Sequence, residues 1–186
     1  MPIRSIEMPT SALATVEPFQ GLVFGDHGHA KDDAVCWDKY PRHEFFNCEL
    51  NDCAAGNAIK KARHTGWRLV VDRDEDDAVS VEIGIDQDDN PAFNGINMGP
   101  YVAATKLALS SAAKTIPEQH DLLVRMLRLP QIYVYALWLH DEANANNDVI
   151  IPMAPAPAEL PSGQTMTVAA FEDVIADLAK ERLDAI

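Results

Sequence analysis

The sequence predicts a single α+β domain, in which a mostly antiparallel sheet of about five strands is packed by three to four helices. The chain has 186 residues, of which 47% are hydrophobic and 24% charged, and this balance is typical of one folded core. Two β-branched runs, WRLVVDR and AVSVEIGID, are separated by a short acidic segment, as in a hairpin. Apolar residues recur at helical spacing near the end of the chain.

Residues 1–19 predict an extended N-terminal arm, and residues 20–186 form the predicted domain. The arm has no sustained periodicity, and a strand is expected at Gln20–Phe24. Residues 25–52 are polar and rich in His, Asp and Cys. A loop of this length is uncommon in a compact domain unless it has a function or contains short elements. A short helix is expected over residues 53–64, with Asp52 as its N-cap.

The middle of the chain predicts a hairpin followed by two helices. WRLVVDR and AVSVEIGID form the hairpin around the acidic turn. A helix is expected from about Pro100, because the apolar residues that follow cover much of a helical circumference. Pro117 is expected to open a second helix that runs through Leu129.

The last third of the chain predicts a second hairpin and a final helix. QIYVYALWLH has apolar residues on both alternating faces, which indicates an interior strand with Val134 and Trp138 buried. DVIIPMA is expected to return beside it, and Pro152 favours an edge or a strand end because it cannot donate to a ladder. A helix is expected from Thr167.

Acidic residues outnumber basic ones by 29 to 15, and the net charge is −14. This charge repels phosphate backbones and disfavours direct nucleic-acid binding, whereas a basic or mixed-charge protein is the expected partner. No apolar run approaches the roughly 20 residues that a bilayer span requires, and the opening stretch lacks the apolar core of a signal peptide. We therefore expect no membrane contact, a cytoplasmic location and no cofactor.

The stretch GDHGHAKDDAVCW over residues 25–37 raises a metal-binding hypothesis. His27 and His29 are separated by one residue, so on a continuing strand both imidazoles would point to the same side and share a metal. Asp32 and Asp33 would be the further ligands. The alternative, which the sequence favours, is a surface loop in which these side chains are solvated.

The three cysteines are an odd set, which favours free thiols over a disulfide scaffold. A zinc site that combines Cys36, Cys48 and Cys53 with His43, or with His27 or His29 in its place, is one hypothesis, because thiolate and imidazole are preferred zinc ligands. Its spacing, however, lacks the two close ligand pairs of a typical zinc knuckle.

A thiol hydrolase centred on Cys53 is another hypothesis. Cys53 would lie in the first turn of the predicted helix, where backbone N–H groups stabilise a thiolate. His140, at the end of a predicted strand, would be the base. The negative charge of the neighbouring Asp52 weakens this hypothesis, because it disfavours a thiolate.

Two acidic turns suggest a protein-binding surface. DRDEDD and DQDDN superficially suggest calcium loops, but a loop that starts at Asp86 needs Gly and Glu where Pro91 and Asn97 stand. Docking of a basic partner is one interpretation, and simple solvation of the turns is the other. The residues expected to contact the partner are Asp74, Glu75, Asp76, Asp77, Asp88 and Asp89.

The sequence therefore favours a non-enzymatic acidic binding protein, such as an inhibitor, an immunity-type protein or an adaptor. This interpretation leads because each enzyme hypothesis lacks a required group. The alternative is a hydrolase with either the Cys53 and His140 thiol site or the His27 and His29 metal site. Convergence of those side chains in one pocket would distinguish the two classes.

Overall fold

The fold is built on one nine-stranded sheet, so the α+β class is confirmed and the sheet is larger than the five strands expected. The computed structural model describes residues 3–25, 35–73, 77–117 and 119–186. The strands are β1 (Ile3–Arg4), β2 (Arg42–Asn47), β3 (Arg63–Asp72), β4 (Ala78–Ile85), β5 (Pro91–Asn97), β6 (Leu122–Leu129), β7 (Val134–His140), β8 (Val149–Pro152) and β9 (Met166–Thr167). The helices are α1 (Thr10–Ala14), α2 (Gln20–Phe24), α3 (Leu50–Ala54), α4 (Pro100–Thr115) and α5 (Val168–Asp184).

Two antiparallel halves meet in the middle of the sheet. The strand order is β5-β4-β3-β2-β6-β7-β8-β9, and β1 also pairs with β6. The pairs β2–β6 and β1–β6 are parallel, whereas the other pairs are antiparallel. β1 and β2 follow one another along the same edge of β6, where Ile3 is opposite Leu122 and Glu44 is opposite Arg125. We call the β2–β6 pair the seam, because it joins the two halves.

The helices cover both faces of the sheet. α5 and α3 pack over one part of the first face, in a cluster that contains Phe171 and Trp138. The segment with α1 and α2 covers the rest of that face, where Phe24 packs in a cluster with Leu69. α4 covers the opposite face, where its Ala108 belongs to the cluster around β6 and β7. No helix in the described part of the chain is long and apolar enough to cross a membrane.

Several sequence predictions are confirmed. β3 and β4 form the expected antiparallel hairpin, and β7 and β8 form the second one. Val134 and Trp138 are buried, as the two-faced apolarity of β7 predicts. α4 begins at Pro100, and α5 begins after Thr167, whose hydroxyl oxygen accepts a hydrogen bond from the N–H of Ala170 at 3.2 Å. The extended arm expected over residues 1–19 is not among them, because residues 3–19 contain β1 and helix α1, and Ala12 and Val16 are buried.

The strand expected at Gln20–Phe24 is wrong, because these residues form helix α2. Val23 and Phe24 are adjacent and both buried, which an alternating strand on one face of a core does not produce. The helix ends at Gly25, whose φ of 59° lies in the left-handed region that glycine adopts without strain.

The helix expected from Pro117 through Leu129 is also wrong, because Leu122–Leu129 is strand β6. This strand lies inside the sheet with apolar side chains on both faces, so it lacks the alternation that identifies a half-buried strand. Arg125 and Arg128 are three residues apart, and on a helix this spacing places two polar side chains on the same side.

The helix expected over residues 53–64 is shorter and begins earlier. α3 spans Leu50–Ala54 with Glu49 as its N-cap, and Arg63 and His64 already belong to β3. Strands β2 and β5 were not predicted. β2, with the sequence RHEFFN, lies at the centre of the sheet although four of its six residues are polar or charged.

The burial of β7 gives a test of the layer arrangement. Leu137 is fully buried beneath α4, so Leu137→Ala should lower the free energy of unfolding by about 2–5 kcal/mol. Leu107→Ala is the matched control, because Leu107 lies on α4 and is 72% exposed, and it should change that free energy by no more than about 0.5 kcal/mol. Urea denaturation followed by circular dichroism measures both. Equal losses in the two variants would contradict the assigned layers.

Candidate functional site

The predicted metal site cannot be located in the structure. His27, His29, Asp32 and Asp33 lie outside the described residues, so the metal hypothesis stays a prediction. Within the described ranges, no group of three or more His, Cys, Asp or Glu side chains is arranged to hold a metal ion. The zinc hypothesis with His43 as the fourth ligand involves only described residues, and the structure does not support it. With His27 or His29 as that ligand, it depends on residues outside the described ones and stays a prediction.

The described members of the predicted acidic binding set, Asp77, Asp88 and Asp89, lie in two separate places. Asp74, Glu75 and Asp76 are outside the described residues, and Asp77 follows them in the turn between β3 and β4. Asp88 and Asp89 are exposed in the turn between β4 and β5. Consecutive turns of an antiparallel meander lie at opposite ends of the strand between them, and β4 has eight residues, or about 26 Å. The two acidic turns therefore flank the hairpin rather than meet.

Cys53 and His140 have different partners in the structure. Cys53 is buried in α3, and burial, together with the nearby Cys48 and Asp52, raises the pKa of its thiol. His140 instead lies at the end of β7 with Nδ1 at 3.0 Å from a carboxylate oxygen of Asp148. A thiol with a raised pKa stays protonated at neutral pH and is a poor nucleophile.

Asp148 is the acceptor that organises the β7–β8 hairpin. Its buried carboxylate accepts hydrogen bonds from the indole N–H of Trp138 at 2.7 Å and from the backbone N–H of Asp141 at 2.9 Å. These donors, together with His140, satisfy a carboxylate that would otherwise be costly to bury. We therefore assign His140 and Asp148 a structural role.

A different group of polar side chains converges on the face covered by α4. We call it the arginine pocket, and its volume is about 180 Å³. Its lining residues are Arg68, Glu82, Asn97, Met98, Pro100, Tyr101, Val102, Arg128 and Tyr135. The register places Arg68 of β3 opposite Glu82 of β4, and Arg128 of β6 opposite Tyr135 of β7. The pocket therefore draws on both halves of the sheet and on the start of α4.

Both guanidinium groups lie near the same aromatic ring. The central guanidinium carbon is 5.9 Å from the ring centroid of Phe45 for Arg68, and 4.9 Å for Arg128. Phe45 belongs to β2, between the strands that carry the two arginines. Cation–π attraction at these distances favours both positions. Two positive charges are thus held near the same Phe45 ring.

Arg68 is a buried cation that is only partly satisfied. Only 2% of its surface is exposed, and its Nη1 donates a hydrogen bond to the hydroxyl of Thr105 at 3.0 Å. Among the described residues none accepts a hydrogen bond from its Nε, although that atom is buried. Burial lowers the pKa of Arg68 to about 10, while the negative charge of Glu82 acts in the opposite direction. The side chain therefore has a free donor and a charge that the fold incompletely neutralises.

Arg128 and Glu82 complete the charges in the pocket. Nε of Arg128 donates to the side-chain oxygen of Asn47 at 3.1 Å, and its Nη1 is 3.6 Å from a carboxylate oxygen of Glu82. Two guanidinium groups and one carboxylate leave one positive charge in excess, in a chain whose net charge is −14. The arrangement is suited to holding an anion.

The start of α4 adds to this positive field. Gly99 is the N-cap, and its helix start has no side-chain capping hydrogen bond. Pro100, Tyr101 and Val102, the first residues of this 16-residue helix, line the pocket. The first turn of a helix carries unsatisfied N–H groups and the positive end of the macrodipole, which favours an anion nearby.

His43 lies on the same sheet face beside the pocket, opposite Arg68 in the β2–β3 register. It is fully buried, and neither ring nitrogen has a hydrogen-bond partner within the described part of the chain. Burial and the charge of Arg68 together lower the pKa of its imidazole to about 3. His43 is therefore neutral at physiological pH and adds no third positive charge.

Sequence reasoning did not find the arginine pocket. Its members come from six elements spread over residues 68 to 135, and no two of the charged ones are close in sequence. The signal was a charged residue inside an apolar strand, as Arg68 is in WRLVVDR. A charged side chain on a buried strand needs an oppositely charged partner, which is either another side chain or a ligand.

Comparisons of the chain with protein-family models, with curated proteins and with solved structures found no significant match, so the site is interpreted from its own geometry.

Cysteine alkylation tests the thiol hypothesis. Cys36 is exposed, whereas Cys48 and Cys53 are buried with raised pKa values, so iodoacetamide should modify Cys36 first in the native protein. All three should react in denaturant. Peptide mapping by mass spectrometry over time measures the order. Rapid alkylation of Cys53 in the native protein would contradict the buried thiol and favour the hydrolase alternative.

His43 should make the fold less stable as the pH falls. An imidazole in the unfolded chain binds a proton near pH 6.5, whereas folded His43 does so only near its pKa of about 3. Between these values the unfolded state binds more protons, so this group lowers the free energy of unfolding by about 1.4 kcal/mol per pH unit as the pH falls.

The variant His43→Leu removes this titration and should lose less stability than the natural chain between pH of about 7 and about 4.5. Urea denaturation at the two pH values measures the difference, and acidic residues titrate equally in both proteins. Parallel losses would show that His43 is not held neutral by the fold.

Proposed function

We propose that this chain is a non-enzymatic binding protein and that its ligand is a small anion held in the arginine pocket. The single observation that carries the proposal is the incompletely neutralised cation Arg68, which is buried beside a second arginine and has a free Nε donor among the described residues. Among the described residues, only one carboxylate, that of Glu82, lines the pocket with them.

A bound anion would supply the negative charge that the buried Arg68 lacks. A buried charge without a full set of partners costs free energy, and a bound anion offsets this cost by pairing with the guanidinium. The electrostatic attraction is strong there, because a partly enclosed site has a lower effective dielectric constant than bulk water. Guanidinium groups also match planar and tetrahedral oxyanions with two parallel hydrogen bonds.

The groups in the pocket favour binding over catalysis. Guanidinium groups stay protonated in proteins and do not exchange protons at neutral pH. Burial and the neighbouring Tyr135 raise the pKa of the Tyr101 phenol, so it does not act as a base there. The hydroxyl of Tyr101 is already used, because it donates to the carbonyl of Pro155 at 3.2 Å. The hydrolase alternative stays a prediction, and the raised pKa of the Cys53 thiol argues against its thiol form.

Docking of a basic protein on the acidic turns also stays a prediction. Exposure of Asp88 and Asp89 is compatible with it. Because the two turns lie at opposite ends of β4, each would have to bind independently or the partner would have to span the hairpin. The arginine pocket, by contrast, is one preformed site.

Anion binding is tested by comparing two arginine variants. Acetate, lactate and phosphate are titrated into the full chain in a low-chloride buffer and followed by calorimetry. Arg128→Gln removes one of the two pocket charges and should weaken binding of any bound anion by about tenfold or more, since hydrogen bonds to charged groups contribute about 1.5–3 kcal/mol. Arg63→Gln is the control, because Arg63 is exposed and lies outside the pocket lining.

The unfolding midpoint of each variant without ligand is measured to separate lost binding from lost folding. Equal affinity in Arg128→Gln and Arg63→Gln, or no binding of any anion to the natural chain, would contradict the proposal.

A further inference from the structure

The residues that line the arginine pocket also indicate which anion it binds. We propose that it binds a short 2-hydroxymonocarboxylate, with the ligand carboxylate between Arg68 and Arg128 and the ligand hydroxyl donating to Glu82. This inference rests on the proposed function. It follows from the volume, the charge and the hydrogen-bonding groups of the pocket.

The pocket is small, with a volume of about 180 Å³, and it is partly open to solvent. Its size therefore favours a compact ligand over a sugar phosphate or a nucleotide. The facing rings of Tyr101 and Tyr135, with centroids 4.1 Å apart, offer an apolar wall for a short alkyl group.

The charge favours a carboxylate over phosphate. Arg68, Arg128 and Glu82 leave one positive charge in excess, and a monoanion neutralises it. A phosphate group carries between one and two negative charges near neutral pH, so part of its charge would face Glu82 without compensation. An amino acid has no net charge and would leave the excess positive charge in place. A planar carboxylate, by contrast, matches the guanidinium fork.

The position of Glu82 is the reason for proposing a ligand that carries a hydroxyl group. Its side chain is only 14% exposed, and its nearest positive group, Nη1 of Arg128, is 3.6 Å away, beyond good hydrogen-bond length. A carboxylate oxygen in this position accepts a donor from the ligand. A simple carboxylate such as propionate would place a methylene group against Glu82 and leave that oxygen dehydrated without a partner. A hydroxyl on the carbon next to the carboxylate supplies the donor at the required short range.

The test compares ligands that differ by one hydroxyl. Lactate and propionate have the same carbon skeleton, so calorimetry on the full natural chain should give lactate the lower dissociation constant, by about tenfold. In Glu82→Gln the ratio of the two dissociation constants should fall towards one, while propionate binds no more weakly than before. Glu159→Gln removes an exposed acidic side chain outside the pocket lining and should leave the ratio unchanged.

The outcomes separate this inference from the proposed function. Equal affinity for lactate and propionate, both lost in Arg128→Gln, would overturn the hydroxyl assignment and leave anion binding in place. Tighter binding of phosphate or alanine than of lactate would overturn the ligand class. Absence of binding for every compound would overturn both. The comparison of lactate with propionate needs no variant, so the inference remains falsifiable if Glu82→Gln fails to fold.

Discussion

The seam between β2 and β6 is the contact on which the rest of the molecule depends. Each half of the sheet is a series of antiparallel neighbours, and the parallel pairing of Glu44–Asn47 with Arg125–Arg128 joins them. The seam is reinforced on both faces by side chains of the same two strands. Nε of Arg125 is 3.1 Å from a carboxylate oxygen of Glu44 on one face, and Nε of Arg128 binds Asn47 on the other.

The arginines on the two faces of the seam differ in how completely the fold supplies them with partners. On the face shared with α5, the Arg125 guanidinium lies about equally far from the rings of Phe46 and Trp138, at 5.0 and 4.9 Å, and its charge is paired with Glu44. That arginine has a carboxylate partner for its charge and an acceptor for its Nε. On the face covered by α4, Arg68 retains a free donor. The contrast between a satisfied and an unsatisfied arginine across one strand pair is the basis for placing the site on the α4 face.

The elements with unambiguous local signals were predictable from the sequence. α5 has an N-cap threonine and a helical repeat, and β3 and β4 are β-branched runs around a turn. The failures have a common physical cause, which is that tertiary position overrides local pattern. β6 is apolar on both faces because it is central, and β2 is polar because its outward charges are paired across the seam.

The candidate site was less predictable than the fold. The sequence singled out residues that are conspicuous locally, such as the cysteines and the acidic turns, and the structure gives Cys53 a buried position beside Cys48. The arginine pocket depends instead on strand register, because Arg68 and Arg128 meet over Phe45 only when β2 lies between β3 and β6. Composition and spacing carry no information on that order.

The seam also determines when the pocket comes into existence during folding. It brings together residues separated by 81 positions, as Glu44 and Arg125 are, whereas the strands within each half are mostly neighbours in sequence. Closing a long loop costs chain entropy before its contacts contribute, so distant pairings form slowly and late. Arg68 and Glu82 belong to one half, and Arg128 and Tyr135 to the other. A partly folded chain with both hairpins complete still lacks the pocket, and a ligand therefore stabilises only the fully assembled sheet.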